Sequence, residues 1–498
     1  MEYLVNADEM KQIDFATTEH FKVPSIVLME RAALETVSVM EEEGLDTKRT
    51  LVFCGTGNNG GDGAAVARLL FQKKRKVCVV LLQGKHGYSE SMQLQLEILK
   101  AYGIPVCEKI PDDFSPTLIV DALFGVGLTR EITGEAAHFI TQMNQMAAPK
   151  LSIDIPSGVQ ATNGKILGTC VQADVTVTYA YAKVGMYLWP GSAACGRIFV
   201  REIGIDAKSW QKERPSVVSL TKEDLSLLPE RKKHSNKGTY GRVLVIAGQK
   251  DMAGAAVFAG AAAYRMGCGL VKVMTPEENR VILQEKVPEA VLKTYPETGI
   301  DETTFVNELQ TVDAIVCGPG IGTSQVAQRI VELVLANAAV PVVFDADALN
   351  ILAIKQELLK QHKAEVIVTP HPGEMGRLCQ EETSVVEADR LKTARQFAED
   401  YQVICVLKGE HTLTAVPEGE IYLNRSGNHG MATAGSGDVL SGVIGSLLAQ
   451  KVPPYLAASL GVYLHGLAGD TMIKETGYGG LLASDLVTGL QKIQAELL

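Results

Sequence analysis

Aromatic residues, paired cysteines and long uninterrupted apolar runs are all scarce in this sequence. Aromatics make up 6% of its 498 residues, and only 2 of them are tryptophan. The longest apolar stretch, Gly254 to Val271, is broken by Arg265 and consists largely of Ala and Gly. We therefore expect a close-packed buried helix there rather than a membrane span. With 46% apolar and 21% charged residues, the composition indicates a globular chain and excludes collagenous, coiled-coil and disordered classes.

Cysteine motifs that would indicate disulfides or zinc are missing. The 9 cysteines are scattered along the chain, with no CxxC pair and no histidine at zinc-ligand spacing. This pattern favours buried reduced thiols. The first residues are acidic where a secretory signal would be basic, and no apolar segment follows them. We expect a cytoplasmic protein on these grounds.

Positive charge is also in short supply. Lys and Arg number 47 against 58 Asp and Glu, so the formal net charge is −11. The chain has no overall basic field of the kind that nucleic-acid binding requires. We expect neither a nucleic-acid nor a membrane partner, and any anionic small molecule must be bound by local groups.

Short β-branched runs alternate with helical patterns in both halves of the chain. This alternation predicts an α/β protein with two doubly wound domains, each built on a mainly parallel sheet with both faces covered. The predicted domains span residues 1–215 and 225–498, with a charged linker between about Ile205 and Tyr240. The predicted strands are Thr50–Cys54, Val77–Leu82, Leu118–Asp121 and Leu151–Asp154, then a run beginning at Gly241, Ala314–Cys317, Val342–Asp345, Val366–Thr369 and Val403–Leu407.

A glycine-rich loop, Gly55 to Gly63, follows the first of these strands and precedes a helix. Small residues let the backbone approach a phosphate, and a helix N-terminus offers unpaired amides and a favourable dipole. The loop is not a P-loop, because no Gly-Lys-Ser/Thr follows it. A glycine turn without a ligand is the alternative interpretation.

Oxygen-bearing side chains follow the next strands of the first half. The carboxyl ends of neighbouring parallel strands converge, so we expect Asn59, Asp121, Asp154 and Ser157 to share one pocket. Oxygen ligands suit a hard cation, and a carboxylate in a partly dry pocket suits acid or base catalysis. Each aspartate taken alone is about as readily a turn former or a helix cap.

These motifs, together with Asn6–Met10 and Val27–Ala33, resemble the NAD(P)HX epimerase family over residues 1 to about 210. The resemblance implies a Rossmann-like domain that interconverts the R and S hydrates of NADH or NADPH at ring carbon 6. It implies a potassium ion held by Asn59, Asp121 and Ser157. The implied contacts of the hydrated dinucleotide are Asn58, Asn59, Gly60, Gly61, Asp62, Gly125, Val126, Gly127, Leu128, Thr129, Arg130, Glu131 and Asp154.

The reacting group of this half is our own inference. A carboxylate suits the chemistry because the ring nitrogen can expel the hydroxyl once it is protonated, and water can then return to either face. We predict that Asp154 acts as this acid and base. Lys183 is a candidate assistant, and a surface charge at a strand end is the alternative.

The most informative segment of the second half is Asn428 to Gly442. We expect Gly435–Gly437 to open a helix whose amides form an anion hole, with Asp438 in the first turn. This arrangement suits phosphoryl transfer to a hydroxyl whose proton Asp438 takes. A favourable charge on a helix N-terminus is the alternative role for Asp438.

Other polar residues of the second half follow predicted strands. His371 stands between two prolines, which suits a positioned hydrogen-bonding side chain, although a lone histidine is more often structural. Asp345 and Asp347 could hold magnesium through water, with turn stabilisation equally open. Lys408 could face a nucleotide phosphate or be a solvated lysine.

Ala432–Gly442 and Thr369–Met375 resemble the ribokinase-like superfamily and, within it, the ADP-dependent NAD(P)HX dehydratases, from about residue 225 to the end. The nucleotide loop departs from the family's Lys-Gly-Ala/Ser-Gly-Thr at Glu410 and His411. The implied substrate contacts are Ala255, Gly320, His371 and Asp438, and the implied adenine-nucleotide contacts are Lys408, Gly409, Glu410, His411, Thr412 and Gly437.

The two halves together predict a bifunctional nicotinamide-nucleotide repair enzyme. The first half would convert the R hydrate into the S hydrate, and the second would dehydrate the S hydrate while ADP becomes AMP and phosphate. The residues leave ADP against ATP, and NADHX against NADPHX, open; the ADP preference and a homo-oligomer follow from resemblance alone, and magnesium is expected with the nucleotide. One alternative is a ribokinase-like kinase of sugars or hydroxymethylpyrimidine. Another is a first half that binds nucleotides without turnover.

Overall fold

The computed structural model describes residues 1–83, 87–210 and 214–496. Its contacts divide the chain into two units. The N-terminal unit is Tyr3–Val217, and the C-terminal unit is Val218–Leu498 together with Met1–Glu2. We keep the bounds 1–215 and 225–498 as our proposal for the two functional domains.

The N-terminal unit is built on a parallel sheet in the order β4-β3-β2-β5-β6-β7-β9, and β1 pairs with β8 outside that sheet. Its strands are β1 (Glu2–Val5), β2 (Arg49–Cys54), β3 (Lys76–Leu81), β4 (Val106–Cys107), β5 (Leu118–Ala122), β6 (Lys150–Ile153), β7 (Val175–Tyr179), β8 (Ala182–Lys183) and β9 (Arg197–Arg201). Its helices are α1 (Ala7–Phe15), which continues into a π-helical turn (Ala16–His20), α2 (Ser25–Glu42), α3 (Asn58–Gln72), α4 (Glu90–Ala101), α5 (Gly134–Gln145) and α6 (Gly191–Ala194).

The strands of this sheet are apolar on both faces because helices cover both. All five residues of β5 are buried, as are all residues of β2 after Arg49. Such runs are typical of parallel sheets, in which crossover helices shield each face. Because β2 and β5 are adjacent and parallel, the loops that follow them lie at the same edge of the sheet.

The C-terminal unit contains strands in the order β13-β12-β11-β14-β15-β16-β17-β18-β19, parallel up to β17 and antiparallel in the final hairpin. The strands are β10 (Val217–Ser219, at the boundary of the units), β11 (Arg242–Ile246), β12 (Leu270–Pro276), β13 (Val291–Tyr295), β14 (Ala314–Cys317), β15 (Val342–Phe344), β16 (Val366–Val368), β17 (Ile404–Leu407), β18 (Leu413–Ala415) and β19 (Ile421–Leu423). The helices are α7 (Ala253–Arg265), α8 (Arg280–Lys286), α9 (Glu302–Leu309), α10 (Gln325–Asn337), α11 (Asp347–Ile354), α12 (Pro372–Cys379), α13 (Thr383–Ala388), α14 (Arg390–Tyr401), α15 (Ser436–Ala449), α16 (Pro454–Thr476) and α17 (Ala483–Glu496).

The predicted fold class is confirmed, because each unit contains a mainly parallel sheet whose strands alternate with helices along the chain. The apolar stretch Gly254 to Val271 is helical only as far as Arg265, the end of α7, and its last two residues begin β12. No helix among the described residues is long and apolar enough to cross a membrane.

The predicted linker is wrong as a description of local structure. The segment holds β10 and short 3₁₀ turns, and Asp224 within it is buried and ion-paired with the N-terminal amine of Met1. Residues 211–213, in the same predicted linker, lie outside the described residues. The charges of this stretch therefore do not mark an unstructured connection, because some of them satisfy buried partners.

Candidate active sites

A cavity of about 1010 Å³ lies at the carboxyl edge of the N-terminal sheet. Residues from the loops after β2, β5 and β6 line it together with residues from α1, its π-helical turn and α2. Of the residues predicted to contact the dinucleotide, those that line this cavity are Asn58, Asn59, Asp62, Gly125, Val126, Gly127, Leu128, Thr129, Arg130 and Asp154. Nearly the whole predicted contact set therefore surrounds one space.

Gly60, Gly61 and Glu131 do not line the cavity. A Cβ at Gly60 would lie 2.0 Å from the carbonyl oxygen of Gly55, and a Cβ at Gly61 would lie 2.5 Å from Met29 Cε. These glycines let α3 pack closely against its surroundings. The turn interpretation therefore holds for Gly60 and Gly61, and the ligand interpretation stays a prediction for the residues of the loop that line the cavity.

Asp154 and Lys183 form an ion pair at the wall of the cavity. Lys183 is 1% exposed, and its Nζ donates to Asp154 Oδ1 and, at 2.7 Å, to Thr178 Oγ1. The alternative of a surface lysine is wrong, because the buried ammonium needs the carboxylate as its counter-charge. Asp154 has a backbone φ of +66°, a left-handed conformation that non-glycine residues rarely adopt. Strained residues of this kind cluster at functional sites.

Two further carboxyl groups, Asp14 and Asp62, face the same cavity. Burial, reinforced by the charge of Asp154 and opposed by Lys183, raises the pKa of Asp14 to about 6. Burial, with the charges of Asp154 and Asp14, raises the pKa of Asp62 well above its usual range. The cavity therefore holds more carboxyl groups than its one buried ammonium can neutralise. Sequence reasoning missed Asp14, although its spacing of four residues from Met10 predicts a shared helical face.

Asp121 and Ser157 lie beneath this cavity, fully buried. Asp121 accepts hydrogen bonds from Ser157 Oγ at 2.6 Å and from Ser152 Oγ at 2.8 Å. Burial raises the pKa of Asp121, although these hydrogen bonds oppose the shift. The two are direct partners at the sheet edge, but neither lines the cavity, so the prediction that they share one pocket with Asn59 and Asp154 is wrong.

Within the described part of the chain, the side-chain amide of Asn59 lacks the hydrogen bonds that a buried amide ordinarily makes. Neither its Oδ1 nor its Nδ2 has a hydrogen-bond partner among the described residues, although both atoms are buried. A Cβ at Gly125 would lie 3.3 Å from both Asn59 and Asp154, so the amide is close to the Asp154 carboxylate. A buried amide without hydrogen bonds lowers the stability of the folded protein. A bound group that contacts the amide oxygen, such as a cation, would satisfy it.

A second cluster of charged groups occupies the carboxyl edge of the C-terminal sheet. Asp345, which follows β15, is 1% exposed and accepts from Lys408 Nζ, Thr369 Oγ1 and Ser441 Oγ, each at 2.7 Å. The alternative of a solvated Lys408 is wrong. Burial lowers the pKa of Lys408, but the nearby charges of Asp345 and Glu374 outweigh this effect, so its pKa is raised.

Asp438 lies in the first turn of α15, as predicted, beside this cluster. Gly435 caps the helix at φ +88°, a conformation suited to glycine, and a Cβ at Gly437 would lie 3.4 Å from Lys408 Nζ. Burial and the charge of Asp345 raise the pKa of Asp438 to about 7, although Lys408 opposes them. A carboxylate with a pKa near neutrality suits a general base.

His371 caps α12 through its ring. Its Nδ1 accepts from the backbone amides of Gly373 and Glu374 at 3.0 and 3.4 Å, so the proton of a neutral ring lies on Nε2. Glu374 in turn accepts from the backbone amide of His371 at 2.8 Å. The structural and functional interpretations of His371 are compatible, because the cap orients a half-exposed Nε2–H.

The predicted nucleotide loop, Lys408–Thr412, rests on a buried arginine that sequence reasoning missed. Arg390 Nη2 donates to the carbonyl oxygens of Leu407 and His411 at 3.2 and 3.1 Å. His411 Nδ1 lies 3.0 Å from the Asn424 carbonyl oxygen, so its ring is held by the protein. This contact gives His411 a structural role beside any role toward a nucleotide. A single arginine at a helix start carries no sequence signal for such a role.

The remaining predicted residues lie along the same edge. A Cβ at Gly320 would lie 2.9 Å from Ala255 Cβ, which brings these two predicted substrate contacts together. Asp347 Oδ2 accepts from the Gly322 amide at 2.9 Å, a turn-stabilising role. Among the residues that the structure describes, no group of three His, Cys, Asp or Glu side chains is arranged to hold a metal.

Comparisons with known proteins agree with this geometry. A family model described as NAD(P)H-hydrate dehydratase matches residues 243–492, and one described as YjeF-related protein N-terminus matches residues 25–185. The bifunctional NAD(P)H-hydrate repair enzyme of Moorella thermoacetica is 37% identical over 99% of this chain and 97% of its own. That of Escherichia coli is 36% identical over 98% of this chain and 93% of its own.

Solved structures resemble the C-terminal unit. A ribokinase-like superfamily protein from Enterococcus faecalis is 29% identical with a TM-score of 0.51, over 57% of this chain and 97% of that one. An ADP/ATP-dependent NAD(P)H-hydrate dehydratase from Bacillus subtilis, co-crystallised with ATP and Mg²⁺, is 33% identical with a TM-score of 0.48, over 54% of this chain and 95% of that one.

Both predicted resemblances are confirmed, and the kinase alternative is not favoured. The full-length relatives carry both halves in one chain, as this protein does. The chain belongs to the family of bifunctional NAD(P)H-hydrate repair enzymes.

Proposed function

We propose that the two units catalyse successive steps of one repair. The N-terminal unit epimerises the R and S hydrates of NADH or NADPH, and the C-terminal unit dehydrates the S hydrate to NAD(P)H at the expense of ADP. The observation that carries this proposal is that each unit gathers reactive carboxylates and one buried lysine at the carboxyl edge of its sheet.

In the epimerisation, the ring nitrogen donates its lone pair toward carbon 6 while the C6–O bond breaks and the hydroxyl leaves as water. Water then adds to the other face of the N1=C6 bond and loses a proton. Asp154 transfers the proton at the reacting oxygen, and Lys183 holds its carboxylate in place through the ion pair. The 1010 Å³ of the cavity is ample for a dinucleotide fragment.

Asn59, Asp121 and Ser157 would hold a potassium ion in this unit. The Asn59 amide, whose buried oxygen has no protein partner among the described residues, fits a monovalent cation with oxygen ligands. Both oxygens of Asp121 already accept hydrogen bonds, so this buried carboxylate would contribute mainly negative charge to such a site. Such an ion would supply positive charge beside the phosphate and ring of the substrate. Asn59, Asp121 and Ser157 would also hold the loops after β2, β5 and β6 in place around the ion.

In the dehydration, Asp438 takes the proton of the C6 hydroxyl as that oxygen attacks the terminal phosphate of ADP, and AMP leaves. The amides at the start of α15 stabilise charge on the phosphoryl group. The ring nitrogen then expels phosphate, and loss of a proton from carbon 5 restores the dihydronicotinamide. Phosphorylation is needed because hydroxide is a poor leaving group.

Magnesium would enter with the nucleotide phosphates rather than on a preformed protein site. Both oxygens of Asp345 already accept hydrogen bonds from Lys408, Thr369 or Ser441, which does not fit direct ligation of a metal by this residue. Lys408 and the helix amides supply the fixed positive field that the phosphates require.

The cysteines support a reducing compartment such as the cytoplasm, because all 9 are free and most are buried.

The test follows dihydronicotinamide absorbance when the purified chain meets a mixture of R and S hydrates with magnesium and either ADP or ATP. Recovery of all the absorbance with one nucleotide supports both activities and identifies the donor. Recovery of the S fraction alone would contradict epimerisation and favour a binding module. A phosphorylated product that accumulates without NAD(P)H would favour the kinase.

A further inference from the structure

Asp14 is a carboxyl group inside the N-terminal cavity that the reaction described so far does not use. It lies on the inner face of α1, where Met10, Asp14 and Thr18 line the cavity at successive intervals of four residues. Among residues 1–83, 87–210 and 214–496, no hydrogen bond or ion pair reaches its carboxyl oxygens. An acid that is half buried and unengaged is available to a bound molecule.

Asp14 and Asp154 reach the cavity from different elements. Asp154 follows β6 and is tied to Lys183, whereas Asp14 projects from α1. The charged and titratable groups that line the cavity with Asp14 are Asp62 from α3, Asp154, Tyr179 from β7, Lys183 from β8, Arg130 from the loop after β5 and Glu19 from the π-helical turn. Outside the cavity, Asp206 and Lys208 lie on the segment that packs against α1. Because the ammonium of Lys183 is engaged by Asp154, it is not available to pair with Asp14.

Epimerisation through loss and return of water needs proton transfer on both faces of the ring. The leaving hydroxyl takes a proton on one face, and the incoming water gives up a proton on the other. Asp154 lies on one wall and serves one face. We propose that Asp14 is the second catalytic residue of the epimerase, serving the opposite face; this inference rests on the proposed role of Asp154.

The proton balance of the cycle is closed. For one direction, Asp14 in its acid form protonates the C6 hydroxyl, the C6–O bond breaks toward oxygen, and the ring nitrogen lone pair forms N1=C6. Water then forms the new C6–O bond on the other face, and the Asp154 carboxylate takes its proton. The enzyme is left with Asp14 ionised and Asp154 protonated, which is the state that the reverse reaction uses. Exchange of these protons with solvent resets it.

Asp14 suits this exchange better than Asp62. The pKa of Asp14 is raised to about 6, so both of its forms are populated near neutrality. Full burial raises the pKa of Asp62 well above its usual range, which favours its protonated form and leaves it less able to release a proton in each turnover. Asp14 is the group of the two that can gain and lose a proton in each turnover.

The experiment measures R-to-S conversion chromatographically in the full chain, with wild type, Asp14→Asn, Asp14→Glu and Asp154→Asn. We expect Asp14→Asn to lower kcat by about 100-fold or more, with little change in KM, and Asp14→Glu to restore part of the rate. The matched control is Asp8→Asn, an exposed residue of the same helix, which should epimerise at the wild-type rate.

The pH profile separates a proton-transfer role from a structural one. The active pair carries one proton, so the wild-type rate should fall as pH rises through about 6, where Asp14 loses its proton. Asp14→Asn should lack this limb, and Asp14→Glu should retain it at a shifted pH. A few-fold loss in Asp14→Asn, or a loss with the limb unchanged, overturns the inference. If Asp14→Asn does not fold, an Asp14→Glu profile identical to the wild-type profile overturns it instead.

Failure of the proposed function is distinguishable. If the wild-type chain does not epimerise, the proposed function falls. If the wild type and Asp14→Asn both epimerise while Asp154→Asn does not, only the role of Asp14 falls.

Discussion

The two sites contain the same kinds of groups but pair them differently. In the N-terminal unit, the buried lysine, Lys183, holds Asp154, which itself lines the cavity. In the C-terminal unit, the lysine, Lys408, holds Asp345, a buried residue whose oxygens also accept from two hydroxyls. Asp438, the proposed base, has no ion-pair partner among the described residues.

The difference shows how one lysine divides carboxyl groups into two classes. The carboxylate that lysine holds is fixed in position by the ion pair, and the carboxyl groups left out have raised pKa values because of burial and like charge. In the C-terminal unit the group left out is the proposed base. In the N-terminal unit, the group left out is Asp14, so the same rule selects Asp14 for proton transfer. Asp154, which lysine holds, was assigned to proton transfer on the separate ground that it lines the cavity.

The largest expected effects come from replacing the proposed acid–base carboxylate of each site. Asp438→Asn should lower dehydration of the S hydrate by about 1,000-fold and leave epimerisation unchanged, because a general base is lost. Asp154→Asn should lower epimerisation comparably and leave dehydration unchanged. Absorbance with pure S hydrate reports the first reaction, and chromatography of the two epimers reports the second. A variant that impairs both reactions would contradict separate sites.

Replacing Asp345 or Lys408, the ion pair of the C-terminal site, should shift the pH dependence of dehydration. Asp345 raises the pKa of Asp438 and Lys408 lowers it. Asp345→Asn should therefore move the acid limb of dehydration to lower pH, and Lys408→Met should move it to higher pH, each by roughly one pH unit. The measurement is kcat against pH at saturating nucleotide. Shifts in the same direction would contradict the assignment of that limb to Asp438.

The raised pKa of Asp438, which has no lysine partner among the described residues, should make the stability of the dehydratase unit depend on pH. The folded-state pKa of Asp438, about 7, exceeds the ordinary value of 3.8, so its stabilising contribution is present at low pH and is lost as pH rises through about 7. Asp438→Asn should raise the melting temperature of the dehydratase unit by a few degrees near pH 8 and much less near pH 4. Asp400→Asn, at an exposed carboxylate of the same unit, is the matched control. Equal effects at both pH values would argue against a raised pKa.

The smallest effect concerns His371, whose ring both caps a helix and presents Nε2. His371→Asn keeps a capping side chain and should lower kcat/KM of dehydration by less than about 10-fold. His371→Ala should lose a further 1 kcal/mol or so of stability, because the cap is lost too. Denaturant unfolding of both variants beside kinetics separates the two roles. Equal stability of the two variants would remove the capping role.

The sequence carried most of the fold and the edge at which each site lies. Strand runs such as Leu118–Asp121 are continuous and β-branched, and β5 begins at Leu118 as predicted. The convergence of Asp121 and Ser157 followed from the rule that parallel strands end at one edge. These features were predictable because they depend on local patterns and on topology.

Pairings between distant side chains were not predictable. Nothing in a single sequence shows that Lys183 is buried against Asp154, or that Lys408 reaches Asp345, 63 positions away. Asp14 was missed because a charged residue on an amphipathic helix ordinarily faces water, and only the packing of α1 over the sheet edge turns it inward. The division of the glycine loop into packing and ligand-facing residues likewise needed coordinates.

The left-handed backbone of Asp154 restricts which replacements natural selection can accept there. At φ +66°, asparagine and glycine tolerate the conformation, whereas β-branched residues strain it. A lineage that abandoned epimerisation yet retained the fold should therefore show Asn or Gly at this position. The residue at this site in a relative's genome would then distinguish a retired epimerase half from a working one before any assay is run.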